Sequence, residues 1–104
     1  MVISDRVADR IDRDFDDRDR VSVSADLRSL DLGESSEERD ERICAAVLIM
    51  AAGDLVRFAS AMALAERDWR DVLMSAGLAQ EDWRARLDEA LGPTPPAAPV
   101  EETR

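Results

Sequence analysis

The fold of this chain is decided by one apolar stretch in its middle, residues 43–52, which reads Ile43-Cys44-Ala45-Ala46-Val47-Leu48-Ile49-Met50-Ala51-Ala52. In helical conformation this stretch extends about 15 Å, which is half of what a bilayer core requires. It therefore predicts a buried helix and not a membrane span. Ser35 and Glu38 have the spacing of a capping box and predict the start of this helix, and Gly53 predicts its end.

A helix that is apolar on all sides must be covered on all sides. In a chain of 104 residues that is rich in alanine, two or three neighbouring helices can fall short of that cover. The sequence therefore permits two arrangements. In the first, the helix is buried wholly within the monomer. In the second, a homodimer or another docked protein supplies the missing cover, and the contact is made by Ile43, Val47, Leu48 and Met50.

A second helical region follows at residues 54–76. Asp54 is a candidate N-cap, and after it the apolar side chains recur at the spacing of one helix face, at Leu55, Phe58, Met62 and Ala65. Asp68 is another candidate cap, although the same periodicity continues beyond it. The region is therefore predicted to form either one kinked helix or two helices.

The chain contains one short internal repeat, in which the pattern Asp-Trp-Arg-x-x-Leu occurs at residues 68–73 and again at residues 82–87. A capping Asp followed by a large aromatic residue predicts two short helices that begin alike and form a hairpin. Because Trp and Arg dominate the energetics of protein interfaces, the candidates for partner contact are Trp69, Arg70, Trp83 and Arg84. The alternative is that both Trp side chains complete the core of the domain.

The two ends of the chain differ in composition from its middle. Residues 1–34 are dense in charge, yet apolar residues recur there at every fourth position, at Ile3, Val7, Ile11 and Phe15, so that an amphipathic helix and a disordered arm are both open. Residues 21–25 alternate like a strand but have no pairing partner, which favours an irregular connector. Residues 93–104 are rich in Pro and are predicted to be a disordered tail. These limits leave residues 35–92 as the helical domain.

The charge of the chain argues against several classes of function. It has 24 acidic and 14 basic residues, a formal net charge of −10, and no Lys, His or Tyr. The missing side chains are those that most often carry acid, base and nucleophilic catalysis, so we expect no enzyme and no catalytic residue. An acidic surface disfavours nucleic acid and anionic membranes. No residue pattern predicts a metal, a cofactor or a small-molecule site, and the lone Cys44 is expected to be a buried thiol.

Residues 42–55, which begin Arg42-Ile43 and end Gly53-Asp54-Leu55, are followed by Asp68-Trp69-Arg70-Asp71-Val72-Leu73. This pattern resembles a group of small uncharacterised bacterial helical proteins, in which an Arg-Ile helix ending in Gly-Asp-Leu precedes Asp-(Trp or Tyr)-Arg-Asp-Val-Leu. Here Ile49 replaces a residue that is usually charged. The resemblance implies a bacterial, soluble and helical protein, and it transfers no function.

Together these patterns predict an all-α fold, a small bundle of three to four short helices with an acidic N-terminal arm and a disordered C-terminal tail. The predicted function is that of a non-catalytic, cytoplasmic accessory module that binds another protein or itself. A competing hypothesis is an acidic regulator, such as an antitoxin or a nucleic-acid mimic, whose N-terminal arm binds a basic protein surface. The distribution of charge favours that arm, because −6 of the net charge lies on residues 1–42, −3 on residues 43–92 and −1 on the tail.

Overall fold

The computed structural model describes residues 1–33 and 36–92, which form five α-helices. These are α1 (Asp5–Asp14), α2 (Asp17–Ser29), α3 (Glu37–Ala51), α4 (Leu55–Ala76) and α5 (Trp83–Leu91). The all-α prediction is confirmed, and the described ranges contain no strand. The number of helices is five rather than three to four, because the N-terminal segment adds two. The predicted cap Ser35 and the predicted tail, residues 93–104, lie outside the described residues.

Helix α3 is the centre of the bundle. It packs most extensively against α4 and also contacts α1 and α5. Its six residues 43–48 are fully buried, so the chain itself covers the apolar helix. The hydroxyl of Ser36 caps α3 by accepting from the backbone N–H of Arg39 at 3.2 Å. At the other end, Gly53 has a φ of 79°, and a Cβ there would lie 3.1 Å from the carbonyl oxygen of Asp14, so the turn fits closely against the end of α1.

Helices α1 and α2 belong to the same core as α3. The sequence left helix and disorder open for residues 1–34 and placed them outside the packed domain. Six apolar side chains from this segment are buried in the common core: Val7, Ile11, Phe15, Val23, Leu27 and Leu30. The acidic sequence is accommodated by N-caps, since Ser4 accepts from the N–H of Val7 and Asp16 accepts from the N–H of Asp19.

Residues 21–25 lie within α2, so the prediction of an irregular connector there is wrong. The strand-like alternation comes from Val21 and Val23, but only Val23 is buried, whereas Val21 is 76% exposed. Helical spacing explains this difference, because Val23 and Leu27 are four residues apart and share one face. The alternation therefore covers too few residues to distinguish the two periods.

Residues 54–76 were predicted to form either one kinked helix or two helices, and the structure shows one kinked helix, α4. It is continuous except at Asp68, where the backbone is extended, with φ −158° and ψ 91°. The carboxylate of Asp68 accepts from the N–H of Arg70 at 3.1 Å and so caps the second half of the helix. The helix ends at Gly77 in a Schellman arrangement, in which the N–H of Leu78 donates to the carbonyl of Leu73 at 2.8 Å.

The second copy of the repeat, residues 82–87, begins its helix differently from the first. Asp82 precedes α5 but makes no side-chain cap hydrogen bond, and its carboxylate instead accepts from Nε of Arg86 at 3.0 Å. The prediction of two equivalent capping Asp residues therefore holds for Asp68 and is wrong for Asp82. None of the helices within the described ranges is long and apolar enough to cross a membrane.

Candidate functional site

A cleft lies where the N-terminal end of α1, the first turns of α3 and the helix α5 meet. Its volume is about 370 Å³. Four carboxylates, two guanidinium groups, one hydroxyl and two large apolar side chains line it: Ser4, Arg6, Glu37, Glu38, Glu41, Trp83, Arg84, Leu87 and Asp88. We call this feature the acidic cleft. The lining comes from three helices, so the relative placement of those helices determines its shape.

The base of the acidic cleft is held together by Arg6, whose side chain is buried. Its Nη2 donates to Oε1 of Glu41 at 2.8 Å, and its Nη1 donates to Oδ1 of Asp88 and to the carbonyl of Gly92, both at 2.7 Å. The hydroxyl of Ser4 donates to Oε2 of Glu41 at 2.7 Å. One guanidinium group therefore ties α1 to α3 and α5, and the planar fork of Arg suits this task.

The Arg6 network shifts the protonation of its members. Hydrogen bonding from Arg6 is the largest cause that holds the pKa of Glu41 below its ordinary value, and burial opposes it. The hydrogen bond with Glu41 likewise raises the pKa of Arg6. The carboxylate and the guanidinium thus remain charged where burial alone would favour their neutral forms.

We expect acid to destabilise the protein partly through Glu41. Because its pKa is lowered in the folded state, its contribution to stability is complete above the unfolded value of 4.5 and is lost as the pH falls below that value. The measurement is the urea midpoint of unfolding at several pH values for the wild type and for Glu41→Gln. The variant should show a shallower loss of stability with acid, and parallel curves would contradict the assignment.

Each Trp of the internal repeat, Trp69 and Trp83, lies close to two Arg side chains. Over Trp83 stand Arg42 and Arg84, with guanidinium carbons 4.1 and 4.5 Å from the ring centroid. Arg42 also donates through Nε to the carbonyl of Leu78 at 2.8 Å, which fixes the α4–α5 loop against α3. Burial lowers the pKa of Arg42. Cation–π contacts of this kind stabilise a structure most when the cation is partly desolvated.

Trp69 has the corresponding environment on α4. Arg39 and Arg70 lie over its ring at 5.3 and 5.1 Å. Both Trp residues are half-buried and pack against the core, and the contact with a partner stays a prediction. Trp83 and Arg84 line the acidic cleft, whereas Trp69 and Arg70 lie outside its lining.

The four residues predicted for self-association lie in the interior of the monomer. Ile43, Val47 and Leu48 are fully buried, and Met50 is half-buried against the same core. The other helices of the chain supply the cover for α3 that the second predicted arrangement takes from a homodimer or another protein. These side chains therefore offer little surface to a second copy.

The sequence did not point to the ionic residues at the base of the cleft, Arg6, Glu41 and Asp88. Arg6 and Asp88 are separated by 82 residues, and Arg6 and Glu41 by 35, so no local pattern joins them. A weaker signal existed for Arg39 and Arg42, which are one helical turn apart and each face one of the two Trp residues.

No family model, curated protein or solved structure matches this chain. The similarity to small bacterial helical proteins stays a prediction from the sequence.

The described residues contain no group of three or more His, Cys, Asp or Glu side chains placed to hold a metal ion. Burial raises the pKa of the Cys44 thiol to about 12, and its Sγ lies 3.4 Å from Sδ of Met1. This thiol is a poor nucleophile at neutral pH, because the thiolate is the reactive form.

We expect native Cys44 to resist alkylation. A pKa of about 12 in place of 9.0 leaves roughly a thousandfold less thiolate at mildly alkaline pH, and burial restricts access further. Mass spectrometry after timed exposure to iodoacetamide checks this, with the urea-unfolded protein as the control. Equal labelling rates for the native and unfolded protein would contradict the burial of this thiol.

Proposed function

We propose that this protein is a non-catalytic protein-interaction module whose acidic cleft binds a basic segment of a partner protein. The observation that carries the proposal is the lining of the cleft, in which four carboxylates face two guanidinium groups beside Trp83 and Leu87. Such a surface offers negative charge for a cationic side chain and apolar area for its methylene groups.

The charges in the cleft differ in how firmly they are engaged. Glu41 and Asp88 bind the buried Arg6 and keep the walls in place. Glu38 pairs with Arg84 at 3.3 Å, but both side chains are largely exposed, and such pairs contribute little stability. Glu37 has no ion-pair partner among the described residues. Glu37 and Glu38 are therefore the carboxylates most available to a cation from a partner.

A neighbouring depression adjoins the acidic cleft beside the start of α1. It has a volume of about 250 Å³, shares Ser4, Glu37 and Glu41 with the cleft, and adds the largely exposed Val2 and the carboxylate of Asp5. Two adjoining depressions that combine carboxylates with the apolar side chains of Val2, Trp83 and Leu87 suit an extended or helical basic segment better than a compact small molecule.

The test of this function is affinity capture from the native host with variants that keep the fold. Glu37→Gln combined with Glu38→Gln removes two negative charges from the cleft. We expect the amount of captured partner to fall about tenfold or more. The matched control is Glu66→Gln with Asp71→Asn, which removes the same charge from exposed positions of α4. Equal loss in both variants, or retention in both, would contradict the proposal.

A second candidate is the acidic regulator that meets a basic surface through α1 and α2. The observation in its favour is the row of exposed carboxylates on these helices: Asp5, Asp9, Asp12, Asp16, Asp17 and Asp26. Deletion of residues 1–34 cannot test it, because that deletion removes six core side chains. Asp9→Asn with Asp26→Asn is the suitable variant, since both side chains are exposed. Loss of the partner in this variant alone favours the regulator, and loss in the Glu37 and Glu38 variant alone favours the cleft.

A second copy of the chain is a less suitable occupant than a basic partner. Both copies would carry a net charge of −10, and the apolar residues of α3 are already covered. Light scattering separates these cases, because a homodimer has a mass near twice 11.5 kDa.

A further inference from the structure

The side chain of Arg84 lines the acidic cleft, and its guanidinium group contacts two other lining residues. Its central carbon lies 4.5 Å from the centroid of the Trp83 ring. Nη1 donates to Oε2 of Glu38 at 3.3 Å, and Nη2 donates to Oε1 of the same carboxylate at 3.4 Å. The cleft therefore already holds one planar cation against an aromatic ring and a carboxylate, in the paired geometry that distinguishes Arg from Lys.

These contacts hold Arg84 only weakly. Charge-assisted hydrogen bonds of this kind are usually about 2.7–2.9 Å long, and both bonds here are longer. The side chains of Arg84 and Glu38 are 69% and 59% exposed, so water competes for each of them. A cation–π contact at an exposed position adds little to this. The guanidinium group of Arg84 can therefore leave its place at little cost to the fold.

The surroundings of Arg84 are fixed more firmly than Arg84 itself. Arg42 lies over the same ring at 4.1 Å, and its Nε is anchored to the carbonyl of Leu78 at 2.8 Å. Trp83 also packs against the core of the bundle. When Arg84 moves away, Trp83 keeps these restraints and the carboxylate of Glu38 loses its partner. The cleft then offers a preformed place for another guanidinium group.

We propose that the basic segment of the partner inserts an arginine side chain into this place, against Trp83 and Glu38, and that Arg84 is an internal competitor for it. The inference rests on the proposed function, because it identifies which cation enters the acidic cleft. A lysine is disfavoured, since its ammonium is a point charge that cannot form two parallel hydrogen bonds with one carboxylate. Occupation by Arg84 lowers the apparent affinity by the fraction of molecules in which the place is taken.

The experiment compares two peptides with blocked ends and equal charge, one in which four arginines alternate with four alanines and one in which lysines replace the arginines. The readout is the indole Nε1–H signals of the full-length protein in nuclear magnetic resonance. The chain has two Trp residues, so Trp69→Phe assigns the signal of Trp83. We expect saturable shifts of the Trp83 signal with the arginine peptide and about fivefold or more weaker binding of the lysine peptide.

The signal of Trp69 is the internal control. Arg70 lies over its ring at 5.1 Å, but within residues 1–33 and 36–92 Arg70 forms no ion pair with a carboxylate. We therefore expect the Trp69 signal to stay in place at peptide concentrations that saturate the Trp83 signal.

Arg84→Gln tests the internal competitor, and we expect it to bind the arginine peptide about fivefold more tightly than the wild type. Loss of one positive charge alone favours any cation, so the matched control is Arg86→Gln. It removes the same charge from an exposed position of the same helix, outside the lining of the cleft. We expect it to change the affinity by less than about twofold.

The outcomes separate this inference from the proposed function. If neither peptide binds, the proposed function of the acidic cleft is wrong, and the inference falls with it. Equal affinities for the two peptides would leave the binding of a basic segment in place and overturn the arginine site. Unchanged or weaker binding of the arginine peptide by Arg84→Gln, or an equal gain in Arg86→Gln, would overturn the role of Arg84 as a competitor.

Discussion

Leu27→Ala should lower the free energy of unfolding by about 2–5 kcal/mol, because α2 is part of the core. The side chain of Leu27 is fully buried, so the truncation removes apolar contacts and leaves a cavity. A domain of this size has a total stability of about 5–15 kcal/mol, which makes the loss a large fraction of it. The measurement is urea unfolding followed by circular dichroism.

The control for this prediction lies in the same helix. Val21 is exposed, and Val21→Ala should change stability by less than about 0.5 kcal/mol. If the N-terminal segment were a disordered arm, neither substitution would change the free energy of unfolding. Finding no difference between Leu27→Ala and Val21→Ala would therefore contradict the placement of α2 in the core.

Glu41→Ala should destabilise the protein by about 3 kcal/mol, because it removes the main partner of a buried guanidinium group. Arg6 is only 7% exposed and donates to Glu41 through both Nε and Nη2. The loss is at the lower end for a broken buried pair, since Asp88 and the carbonyl of Gly92 still accept from Arg6. Thermal and urea unfolding measure it.

Glu38→Ala is the matched control, because it removes the same residue type from the same helix. The pair of Glu38 with Arg84 is largely exposed and should contribute less than about 1 kcal/mol. A further variant combines Arg6→Met with Glu41→Met. Its loss of stability should be smaller than the sum of the losses in Arg6→Met and Glu41→Met alone, because neither buried charge is left without its partner. Additive losses, or equal effects of Glu38→Ala and Glu41→Ala, would show that the Arg6 network is not a stabilising unit.

The sequence predicted those elements whose signals are local. The apolar run of α3 is longer than a typical strand, and residues such as Gly53 and Gly77 end helices because they adopt positive φ. The kink at Asp68 was one of two predicted alternatives, since a capping carboxylate within a continuous periodic pattern is itself a local signal. Trp83 and Arg84 were recognised through their composition as candidates for contact with a partner.

The N-terminal segment shows where local signals fail. Its Asp residues have low helix propensity, and some lie four residues apart, which disfavours a helix in isolation. Burial of Val7, Ile11 and Phe15 against other helices outweighs that cost, and burial is not encoded in the segment alone. The same reason explains why residues 21–25 form part of a helix.

The amino-acid sequence by itself determined the helical class, the apolar character of α3 and a strongly acidic net charge, because composition, periodicity and capping residues act over a few neighbouring positions. Only the tertiary structure decided that α1 and α2 complete the core and that Arg6 joins Glu41 to Asp88. It also decided that polar atoms of Arg39 and Asp40 are buried without a hydrogen-bond partner in the described part of the chain. Burial and long-range pairing depend on which distant segments meet, and that choice is made by the packing of the whole chain.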